Sequence, residues 1–301
     1  MNVLTLLLAG VVSLFSTLFV IPYFMRFFNR IGIVGTDQQK QGKPVITQAG
    51  GIPVFFGFLL GMLTFIFLNT YANPLSPTGT HDLSLGVIFA ALLSTSVIAM
   101  VGFFDDLNVR SQRVAISSDA VDYRVGLAQW QKPLLTLIAS VPLVVARAGT
   151  SLVALPLMGL VNLGPWYSLI LIPIAVVCVS NATNMLAGIN GLEAGTTSVM
   201  LIAIGIFLLQ HGSTEGAVIA FCAAAALLAF LKFNWTPAKM FPGDSLTYFA
   251  GAAIVSSIVI GNAEKLGILL FIPWIVEALL KLRGRFNVRS YGDLKKDGTL
   301  K

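Results

Sequence analysis

Residues 181–195, NATNMLAGINGLEAG, follow the apolar run 166–180 without a break and lead straight into another. The stretch holds three Asn, three Gly and one Glu. A membrane helix that ends in so many amides and glycines is presenting a polar surface. Two further clusters have the same setting: FFDDLN (103–108) closes one apolar run, and FPGDSL (241–246) opens another. Together they predict an all-α, polytopic integral membrane protein whose polar helix ends meet on one face and handle a phosphate-bearing substrate.

Composition supports that class. The chain has 301 residues, 56% hydrophobic and 11% charged, with a mean hydropathy of +0.86; a soluble domain carries roughly 25% charged residues. Charge-poor apolar runs fall at about 3–25, 52–69, 83–104, 133–146, 166–187, 196–209, 217–231, 245–260 and 266–280. Several are shorter than the roughly 20 residues of a full span, so they are expected to extend into their polar flanks. A tenth piece, 150–163, contains Pro156, Gly159 and Gly164, which predict an outer hairpin or re-entrant segment. The reading is nine to ten transmembrane helices in a single domain, 1–301. No basic residue precedes the apolar run that begins at Val3, so no cleavable signal is expected. Cys178 and Cys222 lie inside apolar runs without a pairing or ligand motif and are read as small buried hydrophobes.

Charge sets the orientation. With nine spans, the segments after the odd-numbered ones hold 17 of the 19 basic residues, leaving only Arg147 and Lys265 opposite. The N-terminus is therefore expected outside, and the polar clusters on the cytoplasmic face. This one-sided distribution explains the net charge of +6 without nucleic acid as a partner. His81 and His211 fall on the other side and are given no chemistry.

Adjacent Asp105 and Asp106 at the end of a span are costly to desolvate, so they must face water, a cation or a polar cavity; a solvated loop start would serve equally. Asp244, where a span begins, suits a helix cap or a Mg²⁺ ligand beside substrate phosphates. The amides of 181–195 suit a nucleobase edge, a sugar hydroxyl or a metal, and part of the stretch fits helix capping. Lys40, Lys43, Lys132, Arg283, Arg285 and Arg289 read singly as positive-inside anchors and together as an anion-binding floor. Glu277, inside an apolar run, is read as paired near the interface.

In this order, the blocks GTDQQKQGKPVITQAGGIP, GFFDDLN, QWQKPLLT, NATNMLAGINGLEAG, NWTPAKMFPGDS and RGRF…DGTL resemble the polyprenyl-phosphate N-acetylhexosamine-1-phosphate transferases. The similarity covers almost the whole chain. Bacterial peptidoglycan-type members carry Asp at the positions of Ala187 and Asn190, and a histidine-rich motif in the RGRF region. This sequence instead resembles the eukaryotic and archaeal branch that transfers GlcNAc-1-phosphate to dolichyl phosphate, and it lacks large insertions, which favours an archaeal member.

The resemblance implies an enzyme of the cell membrane that joins UDP-GlcNAc to a polyprenyl or dolichyl phosphate, the first step of lipid-linked glycan assembly. It implies Mg²⁺ (Mn²⁺ as the alternative) held by Asn184 and Asp244, and Lys132 on the diphosphate. Asn190 would contact the uracil, and Arg283 or Arg285 phosphate or sugar. Asp105 and Asp106 match the family's aspartate pair. Gln48 falls near a nucleotide-contacting position that is often acidic, and Lys40 and Glu193 join the substrate-binding set. A homodimer is a further expectation. Two departures stand out: about fifteen extra residues at roughly 110–124, and an end at Lys301, where members continue into a last span. A truncated, inactive transferase is thus one alternative. A transporter for a phosphorylated or nucleotide solute is the other, although its polar residues should lie near the bilayer midplane.

Overall fold

The computed structural model describes residues 3–37, 40–71, 84–107, 126–155 and 159–284. His81, the extra segment at 110–124, and Arg285 and Arg289 lie outside the described residues.

Among the described residues, each of the nine apolar runs is mostly helical. Helices α1 (Val3–Ile31), α2 (Gly51–Tyr71), α3 (Leu85–Leu107), α7 (Leu192–Gln210), α8 (Thr214–Asn234) and α9 (Gly243–Gly261) are long and apolar enough to cross a membrane. The other three runs are each broken, and each break carries a proline. α4 (Gln131–Ala139) gives way at Ser140 to α5 (Val141–Val145), which has Pro142 in its first turn. A π-helical turn at Tyr167–Leu171 leads into α6 (Ile172–Thr183), which starts with Pro173. α10 (Glu264–Leu270) and α11 (Ile272–Arg283) meet at Phe271, beside Pro273. Proline lacks the N–H for the helical ladder and its ring crowds the preceding turn, so it breaks or kinks a helix. In α1, by contrast, Pro22 is interior and the helix runs on.

Two small antiparallel hairpins complete the all-α frame. β1 (Val34–Thr36) pairs with β2 (Val45–Thr47), and β3 (Leu152–Leu155) with β4 (Gly159–Asn162). The second lies in the piece, 150–163, read as an outer hairpin or re-entrant segment, and its strand pairing is that of a hairpin.

The chain is wrapped around α9. Every residue from Ser245 to Val259 is buried, with α2, α3, α6 and α8 packed against the helix. Lipid offers helices no hydrophobic drive to associate, so tight packing depends on small side chains that let backbones approach. α9 supplies them at Ala250, Gly251, Ala252, Ala253, Ser256 and Ser257. α1 is the opposite case. It buries a stripe at four-residue spacing (Ala9, Ser13, Thr17, Ile21) and turns Phe15, Phe19 and Tyr23 outward. On α2, Gly57 and Gly61 meet Thr17 and Ser13, and the Ser13 hydroxyl donates to the Cys222 carbonyl at 2.7 Å. Cys222 is buried as expected. Cys178 is not: it is exposed on α6, because the broken helix there has an outward face that apolar composition alone did not reveal.

Candidate active site

The site is built on the first turn of α9. A helix start leaves its leading N–H groups without intrahelical partners. Here they are met by a residue from another helix. Asp106, at the end of α3, accepts the Asp244 N–H on Oδ1 at 2.8 Å and the Ser245 N–H on Oδ2 at 3.0 Å. Gln48 Nε2 adds a third donor at 3.2 Å. An anion at a helix N-terminus is favoured by the helix dipole, and Asp106 is only 2% exposed. Three glycines permit this approach. A Cβ at Gly102 would lie 2.5 Å from the Asp244 carbonyl oxygen, and one at Gly51 2.1 Å from the Leu246 nitrogen. At Gly243, where φ is +69°, it would lie 2.5 Å from the Asp106 carboxylate.

Asp105 projects differently. It accepts the Leu127 N–H and pairs with the Lys132 ammonium at the start of α4. The same ammonium lies 3.8 Å from Asp244 Oδ2, so the Asp105 and Asp244 carboxyls flank one cation. The Asp244 side chain is one-third exposed, whereas that of Asp105 is 2% exposed. Asp105 and Asp244 thus share one neighbouring ammonium, and Asp106 lies against the backbone of the same turn, a negative excess that favours a further cation.

Asn184, at the C-terminal end of α6, reaches the same turn. Thr247 Oγ1 lies 3.1 Å from both Asn184 Oδ1 and the Asp244 carbonyl. Two neighbours fasten α6 there: Thr183 donates to the Thr247 carbonyl at 2.9 Å, and Tyr248 to Asn181 Oδ1 at 3.0 Å. Asn181 in turn donates to Thr136 of α4 at 3.1 Å. The amide-rich stretch therefore divides its work, with Asn181 tying helices together and Asn184 facing the carboxylates' turn.

Among the described residues, no three His, Cys, Asp or Glu side chains form a cage for a metal. An ion here would take one or two side-chain oxygens and complete its shell with water and substrate. That is the habit of Mg²⁺ rather than of structural zinc, and it fits Asp244 with Asn184.

Asn190 stands on the far side of the same loop. Its Nδ2 donates to Asp37 Oδ2 at 3.1 Å, and Lys40 pairs with that oxygen at 2.9 Å while donating to the Ala238 carbonyl at 3.0 Å. The Gly191 N–H donates to Asn234 Oδ1 at 2.9 Å, and Asn234 Nδ2 to the Met240 carbonyl at 2.9 Å. An apolar cavity of about 590 Å³ opens between α7 and α10–α11, lined by Leu186, Val199, Trp235 and Trp274; of the predicted site residues it touches Asn190 alone.

The remaining predicted residues are more dispersed. Gln48 is buried against Asp106. Glu193 is buried and accepts the Gly188 N–H at 2.9 Å, closing the loop on itself. Arg283 is exposed at the end of α11. Glu277 does find a partner, Lys281 at 3.3 Å, and Lys281 also donates to the Met185 carbonyl beside Asn184. Sequence reasoning missed Asp37, Asn234 and Thr247. For Asn234 the signal available was an Asn closing an apolar run; Asp37 and Thr247 offered no local one.

Comparison with known proteins gives the chain's family. The sequence pattern of glycosyl transferase family 4 matches residues 88–262. A Saccharolobus solfataricus protein, provisionally named a UDP-N-acetylglucosamine–dolichyl-phosphate N-acetylglucosaminephosphotransferase, is 35% identical over all of this chain and 85% of its own length. The Schizosaccharomyces pombe protein of that name is 28% identical over 91% of this chain and 66% of its own. A Streptococcus mutans phospho-N-acetylmuramoyl-pentapeptide-transferase is 26% identical over 91% of this chain and 77% of its own.

Proposed function

The chain belongs to glycosyl transferase family 4, and from that premise we propose that it transfers GlcNAc-1-phosphate from UDP-GlcNAc to a polyprenyl phosphate such as dolichyl phosphate, releasing UMP. The observation that carries the reading is the meeting of Asp105, Lys132, Asp244 and Asn184 at one helix start. These are the groups needed to hold two phosphates and a divalent ion together.

In the reaction, an oxygen of the lipid phosphate attacks the β-phosphorus of the donor. The bond from that phosphorus to the bridging oxygen breaks, and UMP departs with the electron pair. A phosphomonoester has a second pKa of about 6, so the nucleophile is already largely ionised at neutral pH. The task left to the protein is to place two mutually repelling anions and to offset charge as it develops. Lys132 would lie on the donor's diphosphate, its direction set by Asp105. Asp244 and Asn184 would hold Mg²⁺, which supplies Lewis-acid stabilisation of the phosphoryl oxygens. Asp106 orients the turn that bears Asp244. Asn190 would contact the uracil with Lys40 close by, through the Asp37 that both touch, and the basic end of α11 would lie near phosphate or sugar. The basic flanks of the polar helix ends support a cytoplasmic site, and the acceptor's isoprenoid tail would stay in lipid.

The test is UMP release by detergent-purified protein given UDP-GlcNAc, a polyprenyl phosphate and Mg²⁺. Release should require both the lipid and the metal, and Asp244→Ala should abolish it. Lipid-independent release, or full activity of that variant, would overturn the reading.

A further inference from the structure

We propose that Asp37 sets the base choice of this site: it pins the Asn190 carboxamide in one orientation and so selects uracil over cytosine in the donor nucleotide. The inference rests on the reading of Asn190 as the base contact. A carboxamide is nearly symmetric in shape but opposite in chemistry at its two ends, since the oxygen accepts and the amino group donates. Uracil offers an N3–H donor between two carbonyl acceptors. Cytosine offers an N3 acceptor beside an amino donor. An asparagine free to rotate by half a turn can satisfy either base, and its orientation is decided by the network around it.

Here the network decides it. A carboxylate only accepts, so the amino end of Asn190 must face Asp37, as the 3.1 Å contact shows. Asp37 is 2% exposed. Its N–H donates to the Pro44 carbonyl at 2.9 Å, and its carboxylate is held by Lys40 at 2.9 Å. Lys40 is itself anchored on the Ala238 carbonyl. The loop bearing Asn190 is fixed independently through the Gly191 N–H and Asn234. What remains for a ligand is Asn190 Oδ1, an acceptor, with the second Nδ2 hydrogen beside it. That edge complements N3–H and a carbonyl of uracil. Against cytosine it sets two acceptors face to face. Turning the amide over would forfeit a charge-assisted hydrogen bond and point Oδ1 at a carboxylate, a penalty on the order of tenfold to a hundredfold in affinity.

The experiment compares UMP and CMP as inhibitors of lipid-product formation, using the ratio of their inhibition constants. Cations that face the phosphates act alike on both nucleotides and cancel in that ratio, so a merely structural loosening of the phosphate end would not move it. Wild type should favour UMP strongly. Asp37→Ala and the near-isosteric Asp37→Asn, whose amide can face either way, should each lower the preference by on the order of tenfold or more. Should Asp37→Ala melt, the Asp37→Asn variant decides. An unchanged ratio in the folded variant overturns the lock and leaves the uridine-donor reading standing. A wild type that does not prefer UMP overturns both.

Discussion

Asp105 and Asp106 are neighbours of one residue type on one helix, yet they meet different surroundings. Successive helical residues project about 100° apart. That rotation sends Asp106 into the N–H groups of α9 and Asp105 toward Lys132. Asp106→Ala should therefore act on stability. It strands the buried Ser245 N–H, the half-buried Asp244 N–H and the Gln48 amide, for a loss of about 3 kcal/mol and a lower melting temperature in detergent. Asp105→Asn should melt near wild type while UMP release falls by about a hundredfold or more, since the Lys132 ammonium loses the charge that directs it. Equal melting losses, or full activity of the Asp105→Asn protein, would refute the division. The sequence marked both aspartates, but not which one binds a helix start. That depends on a partner more than a hundred positions away, Asp244, and no local pattern encodes it. Asp37 was hidden for the same reason, since its partner Asn190 lies far along the chain.

Helices were the legible elements, because an apolar run long enough to cross a membrane leaves its backbone little choice but to satisfy itself. The breaks were written in Pro142, Pro173 and Pro273 but went unread, since apolar composition continues through them. The centrality of α9 was also not apparent. Its composition resembles that of α8, and what distinguishes it is close approach on every side. Gly102 and Gly86 test this on a single helix. An added methyl at Gly102 meets the backbone of Asp244 and Ser245, whereas one at Gly86 meets nothing within 4 Å. Gly86→Ala should be neutral or stabilising by up to about 1 kcal/mol. Gly102→Ala should cost about 1–3 kcal/mol by overpacking and lower UMP release by displacing Asp244. Matching melting temperatures for the two variants would mean that α3 does not press on the start of α9.

At the scale of the whole molecule, the helix ends that carry the chemistry face the cytoplasm only if the chain crosses the membrane as its charges indicate. The described structure brings together α3, α4, α6 and α9 at those ends regardless of any membrane, so convergence and orientation are separate propositions. Orientation rests on the placement of 17 of 19 basic residues and the energetic bias of Lys and Arg toward the cytoplasm. Lys239, in the link between α8 and α9, and Lys265, in the first turn of α10, lie at opposite ends of α9 and make the decisive pair. With Cys178 and Cys222 replaced by Ala, a single cysteine introduced at Lys239 or at Lys265 can be probed with a membrane-impermeant thiol reagent on intact cells. The Lys265→Cys protein should label directly, and the Lys239→Cys protein only after permeabilisation. The reverse pattern would place the carboxylates and Lys132 outside, away from the cytoplasmic UDP-sugar pool that the proposed reaction draws on. The donor would then have to be supplied on the outer face, and a role in recognising an extracellular phosphorylated solute would gain the advantage.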